Sequence, residues 1–164
     1  MQATIERGRE TVEPVDINDI RNRVDEALNR LGAQLIARVS DVKPDAADAE
    51  RDPVTRALQD NVATFGQIAA GLAIIDAECL PAVGAGYGST VSVRDLDTNE
   101  RDQYTLMVGS LVDIDTQQVS LASPIGQALL GKCEGEITTV VTPHKRSRLL
   151  ITKVVTLMSK LGEV

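Results

Sequence analysis

Apolar residues recur at steps of three and four along two segments of the chain. Ile17, Ile20, Val24, Leu28, Leu31, Leu35 and Val39 form the first series, and Val54, Leu58, Val62, Phe65, Ile68, Leu72, Ile75 and Cys79 the second. Such spacing keeps one stripe of a helix apolar, and two facing stripes can zip together. Between them, Asp41 to Asp52 carries five carboxylates and two basic side chains, with Pro44 and Pro53 as breakers. Pro44 disfavours a helical Lys43, whereas Pro53 suits a first turn capped by Asp52. Residues 16–80 are thus expected to form an antiparallel coiled-coil hairpin with an acidic tip at 41–52. At 1.5 Å per residue, a helix from Ile17 to Val39 would be about 35 Å long. Asp16 is the expected N-cap of the first helix, with Asp19 acting on its dipole. Arg21, Arg23, Asp25, Glu26 and Arg30 read as a solvated face. Gly32, Gly66 and Gly71 lie inside the helical pattern, either to permit close helix contact or to soften the stalk.

Beyond Cys79 the period changes. Residues 81–88 are rich in glycine and read as a linker, with Gly84 to Gly88 acting as a hinge. Short β-like runs follow at Thr90 to Val93, Gln103 to Val108, Gln118 to Ala122, Glu136 to Thr142 and Leu149 to Leu157. Asp95 to Asp102 reads as a hairpin turn. Ser123 and Pro124 then open a short helix as N-cap and first residue, and Gly131 stops it. Strands with a lone helix predict a small α+β domain over 89–164 with a largely antiparallel sheet. Residues 1–15 show no period and read as a mobile arm.

Composition narrows the function classes. Apolar residues make up 43% of the 164 and aromatics 2%, so the core must be aliphatic. A net charge of −7 argues against free-standing nucleic-acid binding, which needs a basic surface. Cys79 and Cys133 lack metal-ligand spacing, and Cys79 reads as a buried reduced thiol. The first ten residues lack the apolar core of a signal peptide, and the Ile68 to Ile75 tract is too short to cross a membrane. A cytoplasmic chain without membrane contact is expected.

The run Tyr87-Gly88-Ser89-Thr90-Val91-Ser92-Val93 is one distinctive stretch. A second is Ser123-Pro124-Ile125-Gly126-Gln127-Ala128-Leu129-Leu130-Gly131-Lys132, with Gly135-Glu136 after it. Together with Thr142-Pro143 and Leu149 to Val155, they resemble the C-terminal domain of the Gre transcript-cleavage factors over residues 84 to 157. The hairpin resembles that family's N-terminal coiled coil in architecture. The resemblance implies an FKBP-like head that docks on the rim of the secondary channel of bacterial RNA polymerase, here through Ser123, Pro124 and Ile125. It also implies a coiled coil reaching down the channel, into indirect contact with nascent RNA. Its tip acids, here Asp45 and Asp48, would help hold a Mg²⁺ of the polymerase active centre and act in trans. Mg²⁺ prefers oxygen ligands and keeps several waters, so one or two carboxylates suffice if the partner supplies the rest.

The tip departs from the family's Gly-Asp-Leu-Ser-Glu-Asn-Ala-Glu-Tyr. Asp45 and Asp48 keep the two-acid spacing, but the second acid is one methylene shorter, a serine has become Ala47, and Pro44 replaces the glycine. Ala122 also stands where the family often has a polar residue. Ångström placement of ligands is sensitive to such changes, so the implied function is a channel-occluding regulator with no enzyme activity of its own. The alternatives are a true cleavage-stimulating elongation factor, a peptidyl-prolyl isomerase, or a coiled-coil adaptor dimerising through residues 17 to 79. A hairpin paired within one chain predicts a monomer. His144-Lys145-Arg146-Ser147-Arg148 reads as a solvated hairpin turn, and His144 has no catalytic partner nearby.

Overall fold

The structure, a computed structural model, describes residues 15–41, 52–108 and 117–163. Asp16 opens helix α1 (Ile17–Asp41) by accepting the Asn18 N–H at 2.9 Å. Asp52 opens α2 (Pro53–Leu72) by accepting the Val54 and Thr55 N–H groups, with Pro53 in the first turn. The two helices run in opposite directions. Arg21, near the start of α1, donates Nε and Nη2 to the Leu72 carbonyl at the end of α2. Arg38, in the last turn of α1, pairs with Asp52 at 2.9 Å.

The expected stripe is only partly buried. Ile20, Val24, Ala27 and Leu31 are buried near the sheet, whereas Ile36, Val39 and Val54 are exposed at the far end. There each helix has only the other to lean on. α2 also stops at Leu72, short of Cys79. The chain turns with Ile74 N–H on the Gly71 carbonyl, and Ala77–Cys79 form a 3-10 turn. The reason is tertiary. Arg21 takes the Leu72 carbonyl that a further turn would have used, and Tyr87 packs against Gly71 while adding its hydroxyl to the Gln67 and Ile68 carbonyls of the preceding turn. Arg21 therefore does not belong to a merely solvated face. Gly71 permits close contact, because a Cβ there would collide with the Tyr87 ring. Cys79 is half-buried and free, not fully buried.

Residues 84–88 do not form the expected hinge. Ala85 and Tyr87 are 0% exposed. Ala85 exchanges backbone hydrogen bonds with Lys132 and Gly131, Tyr87 N–H reaches the Cys79 carbonyl, and Gly88 N–H reaches that of Leu106. Gly84 has φ +88°, and any Cβ there would strike the Gly131 carbonyl. The glycines thus serve close packing.

The sheet has the order β3-β2-β1-β5-β4. Its strands are β1 (Thr90–Asp95), β2 (Arg101–Met107), β3 (Gln118–Ser120), β4 (Ile137–Val141) and β5 (Arg146–Val155). All neighbours are antiparallel except β2 and β3. The β1–β2 turn is held by the Asp95 carboxylate, which accepts the Asp97 and Thr98 N–H groups. Arg146 and Arg148, read as part of a turn, are strand residues of β5. Between β3 and β4 lies α3 (Pro124–Leu129).

Helix α4 (Leu157–Gly162) replaces the expected end of the last strand, with Thr156 as N-cap. Its Lys160 donates to the Gly88 carbonyl at 2.8 Å and Thr90 Oγ1 at 2.7 Å, and burial lowers the ammonium's pKa to about 8. One core cluster joins Ile20, Val24, Phe65, Ile68 and Leu72 of the helices to Tyr87, Val91, Leu106, Leu129 and Ile151 of the head. Hairpin and sheet share a core.

Candidate functional site

Ser123 is fully occupied in holding its own loop. Its hydroxyl donates to the Ser120 carbonyl at 2.6 Å and accepts the Gly126 N–H at 3.1 Å, while its N–H also meets Ser120 O. This is the expected N-cap, and it orients the first turn of α3. Pro124 is exposed and Ile125 half-buried beside it, so the loop presents a small apolar knob. The knob is fixed from behind. Gly126 sits so close to β3 that a Cβ would fall on the Ser120 carbonyl, and Thr138 Oγ1 of β4 donates to the Ala128 carbonyl at 3.0 Å. A preorganised apolar projection of this kind can dock against another protein at low ordering cost.

Asp45 and Asp48 lie outside the described residues. Their described flanks are informative. The Asp52 carboxylate receives Arg38 Nε, Thr55 Oγ1 and two backbone N–H groups, closing the base of the segment 42–51. From Arg21 to Arg38 the helix rises about 25 Å, which sets this base well away from the Tyr87 junction. Among the described residues, no group of three or more His, Cys, Asp or Glu could hold a metal ion.

The Arg38 guanidinium, followed by the Thr55 hydroxyl, holds the Asp52 carboxyl at a pKa of about 2, against an ordinary 3.8. A depressed carboxylate stabilises the fold fully above its unfolded value, and that contribution is lost as pH falls from about 4 towards 2. Melting temperatures of the native chain and Asp52→Asn, followed from pH 5 downwards, should therefore converge as the carboxylate protonates. Curves that stay parallel down to pH 2 would show that the clip contributes nothing.

Sequence reasoning missed Arg21, which ties α1 to the end of α2, and Gln67, which joins the hairpin to the head by meeting Gln118 of β3 at 2.9 Å. It also missed the use made of Tyr87. Their partners lie far along the chain and leave no local signal. Tyr87 alone was conspicuous, as one of two tyrosines in an aliphatic chain.

Residues 82–156 match the family described as transcription elongation factor, GreA/GreB, C-terminal. Over 57 residues the chain is 39% identical to transcription elongation factor GreA of Ralstonia nicotianae, covering 35% of this chain and 36% of that protein. Against GreA of Streptococcus gordonii the identity is 37% over 43% of this chain and 44% of the relative. Against GreA of Chloroherpeton thalassium it is 24% over 77% and 84%. The chain thus spans less than half the length of the first two relatives. Among solved structures, GreA factor homolog 1 (Gfh1) of Thermus thermophilus aligns over 82% of this chain and 94% of its own, at 20% identity and a TM-score of 0.41. Residues 82–156 are a GreA/GreB-type C-terminal domain, and through it the chain is a homologue of the Gre-family transcription elongation factors.

Proposed function

We propose that this chain is a cytoplasmic, monomeric regulator that binds bacterial RNA polymerase at its secondary channel. In this reading the FKBP-like head docks through Ser123, Pro124 and Ile125, and the hairpin projects its acidic tip towards the active centre. The supporting observation is the shared core with the Tyr87 and Gln118 bonds to α2, by which a head fixed on a partner would aim the hairpin. A probe on a loose hinge would lose much of its effective concentration at the target.

The chain is not itself an enzyme in this scheme. Asp45 and Asp48 would be ligands for a Mg²⁺ of the polymerase, which would supply water activation for hydrolysis of backtracked RNA. The altered tip favours occlusion of the channel over cleavage. The two-acid spacing keeps the cleavage-stimulating reading as the second candidate. An isomerase is not supported, because Tyr87 is spent on helix carbonyls and walled into the core.

A stalled complex with backtracked RNA decides between the two. Added protein should slow nucleotide addition without releasing short 3′ fragments. If fragments do appear, Asp45→Asn and Asp48→Asn should abolish them while leaving polymerase affinity unchanged. Absence of any polymerase binding would end both readings.

A further inference from the structure

The sheet face that meets α2 and α4 through Gln118 and Thr90 carries, at the far end of its strands, a row that the docking reading does not use. Across four strands the register aligns Arg101 of β2, Arg94 of β1, Leu150 of β5 and Ile137 of β4. At about 4.8 Å between strands the row is about 14 Å wide. Arg148 stands opposite Thr139 and Arg146 opposite Val141 on the same face. Ile137 is 58% and Val141 62% exposed. Alternation along the strands sends Asp95 and Asp102 to the opposite face, where Asp95 pairs with Lys145. Carboxylates close to the row include Asp97 and Glu100 of the β1–β2 turn and Glu136, which adjoins Ile137 and accepts the Cys133 N–H. Asp97 holds Arg148 at 2.9 Å, and Glu100 accepts from Thr98.

Arg94, Arg101 and Arg146 make no ion pair among the described residues. Two like charges directly opposite each other destabilise a sheet, yet Arg94 and Arg101 are register partners. Charges that blunt a sheet edge against aggregation belong on edge strands, whereas β1 is the central strand. A solvated surface gains nothing from such a pair in an acidic chain. An acidic ligand laid across the row would relieve the repulsion and offer guanidinium forks their preferred carboxylates.

We infer that this face docks an acidic protein segment whose carboxylates meet Arg94, Arg101 and Arg146 while its aliphatic side chains cover Leu150, Ile137 and Val141. A nucleic acid fits less well. The aliphatic half of the row has nothing to contact on a phosphodiester backbone, and the row holds no aromatic ring for stacking. The surface is distinct from the Ser123 loop, since α3 bonds to Thr138, which points to the other face of β4.

Three probes test this on the full chain by NMR titration: a short amphipathic peptide of glutamate and leucine, its lysine–leucine counterpart, and a single-stranded RNA of similar length. The acidic peptide should shift the amides of residues 94, 101, 137, 146 and 150, and the lysine peptide should not. Arg94→Ser with Arg101→Ser should weaken the acidic peptide roughly tenfold. Ile137→Ser should weaken it without changing its salt dependence. Perturbations elsewhere, unchanged affinity in both variants, or RNA binding the face more tightly than the acidic peptide would each overturn the inference.

Discussion

Tyr87→Ala should destabilise the protein by about 3–5 kcal/mol, read from denaturant midpoints at unchanged slope, while Tyr87→Phe should cost only about 0.5–1.5 kcal/mol. The ring is fully buried between α2 and the sheet, and its hydroxyl reaches the Ile68 carbonyl at 3.0 Å. Burial also pushes the phenol's pKa far above its usual 10, so it stays a donor throughout the stable pH range. Most of the loss on truncation is therefore packing, with the hydrogen bond a smaller part. The contact with Gly71 supplies a sharper test. In the native chain Gly71→Ala should destabilise, because the new methyl group lands on the tyrosine ring. In the Tyr87→Ala background the same change should become neutral, or stabilise by up to about 1 kcal/mol through helix propensity. Equal effects in both backgrounds would mean that Tyr87 does not set the end of α2.

That junction shows where local sequence information stops. Every helix start read from the chain lies where its capping chemistry put it: Asp16, Asp52 with Pro53, and Ser123 with Pro124. Capping is decided within three residues, so adjacent letters suffice. The end of α2 lies where Arg21 takes the Leu72 carbonyl and Tyr87 packs on Gly71, neither of them nearby in sequence, and periodicity alone carried the helix too far. Helix α4 was hidden for another reason. Val154, Val155, Thr156 and Leu157 continue the β-like composition of β5 without a break, and only Thr156 capping Ser159 N–H marks the change. The five strands were legible from alternation. The parallel pairing of β2 with β3 was not, since it depends on what residues 108–117 do between them.

The candidate site divides along the same line. Ser123, Pro124 and Ile125 came from a motif whose structural role is local, and the structure gives that role in full. Arg146 and Arg148 were legible only as a basic run, because which face of which strand they occupy follows from pairing with β4. A charge run becomes a surface only once register is known.

Gly126 offers the second large effect, and it separates folding from docking. A methyl group there would fall on the backbone of Ser120 and Leu121. That backbone has little freedom to move. Ser120 pairs with Met107 in the β2–β3 ladder, Leu121 N–H is bonded to the Met107 carbonyl, and the Ser120 carbonyl already receives both Ser123 groups. Relief must come from α3 moving outwards, which gives up the packing of Leu129 and the Thr138 bond. Gly126→Ala should thus cost about 1–3 kcal/mol and displace Pro124 and Ile125. Gln127→Ala, one residue along and exposed, should stay within about 0.5 kcal/mol. If the loop docks on polymerase, Gly126→Ala will lose polymerase affinity at temperatures where the chain is still fully folded. Pro124→Ser, which touches the knob but not the β3 contact, will lose affinity with little change in stability. A Gly126→Ala chain as stable as the native one would mean that α3 rides loosely on β3, and the preorganised knob would go with it.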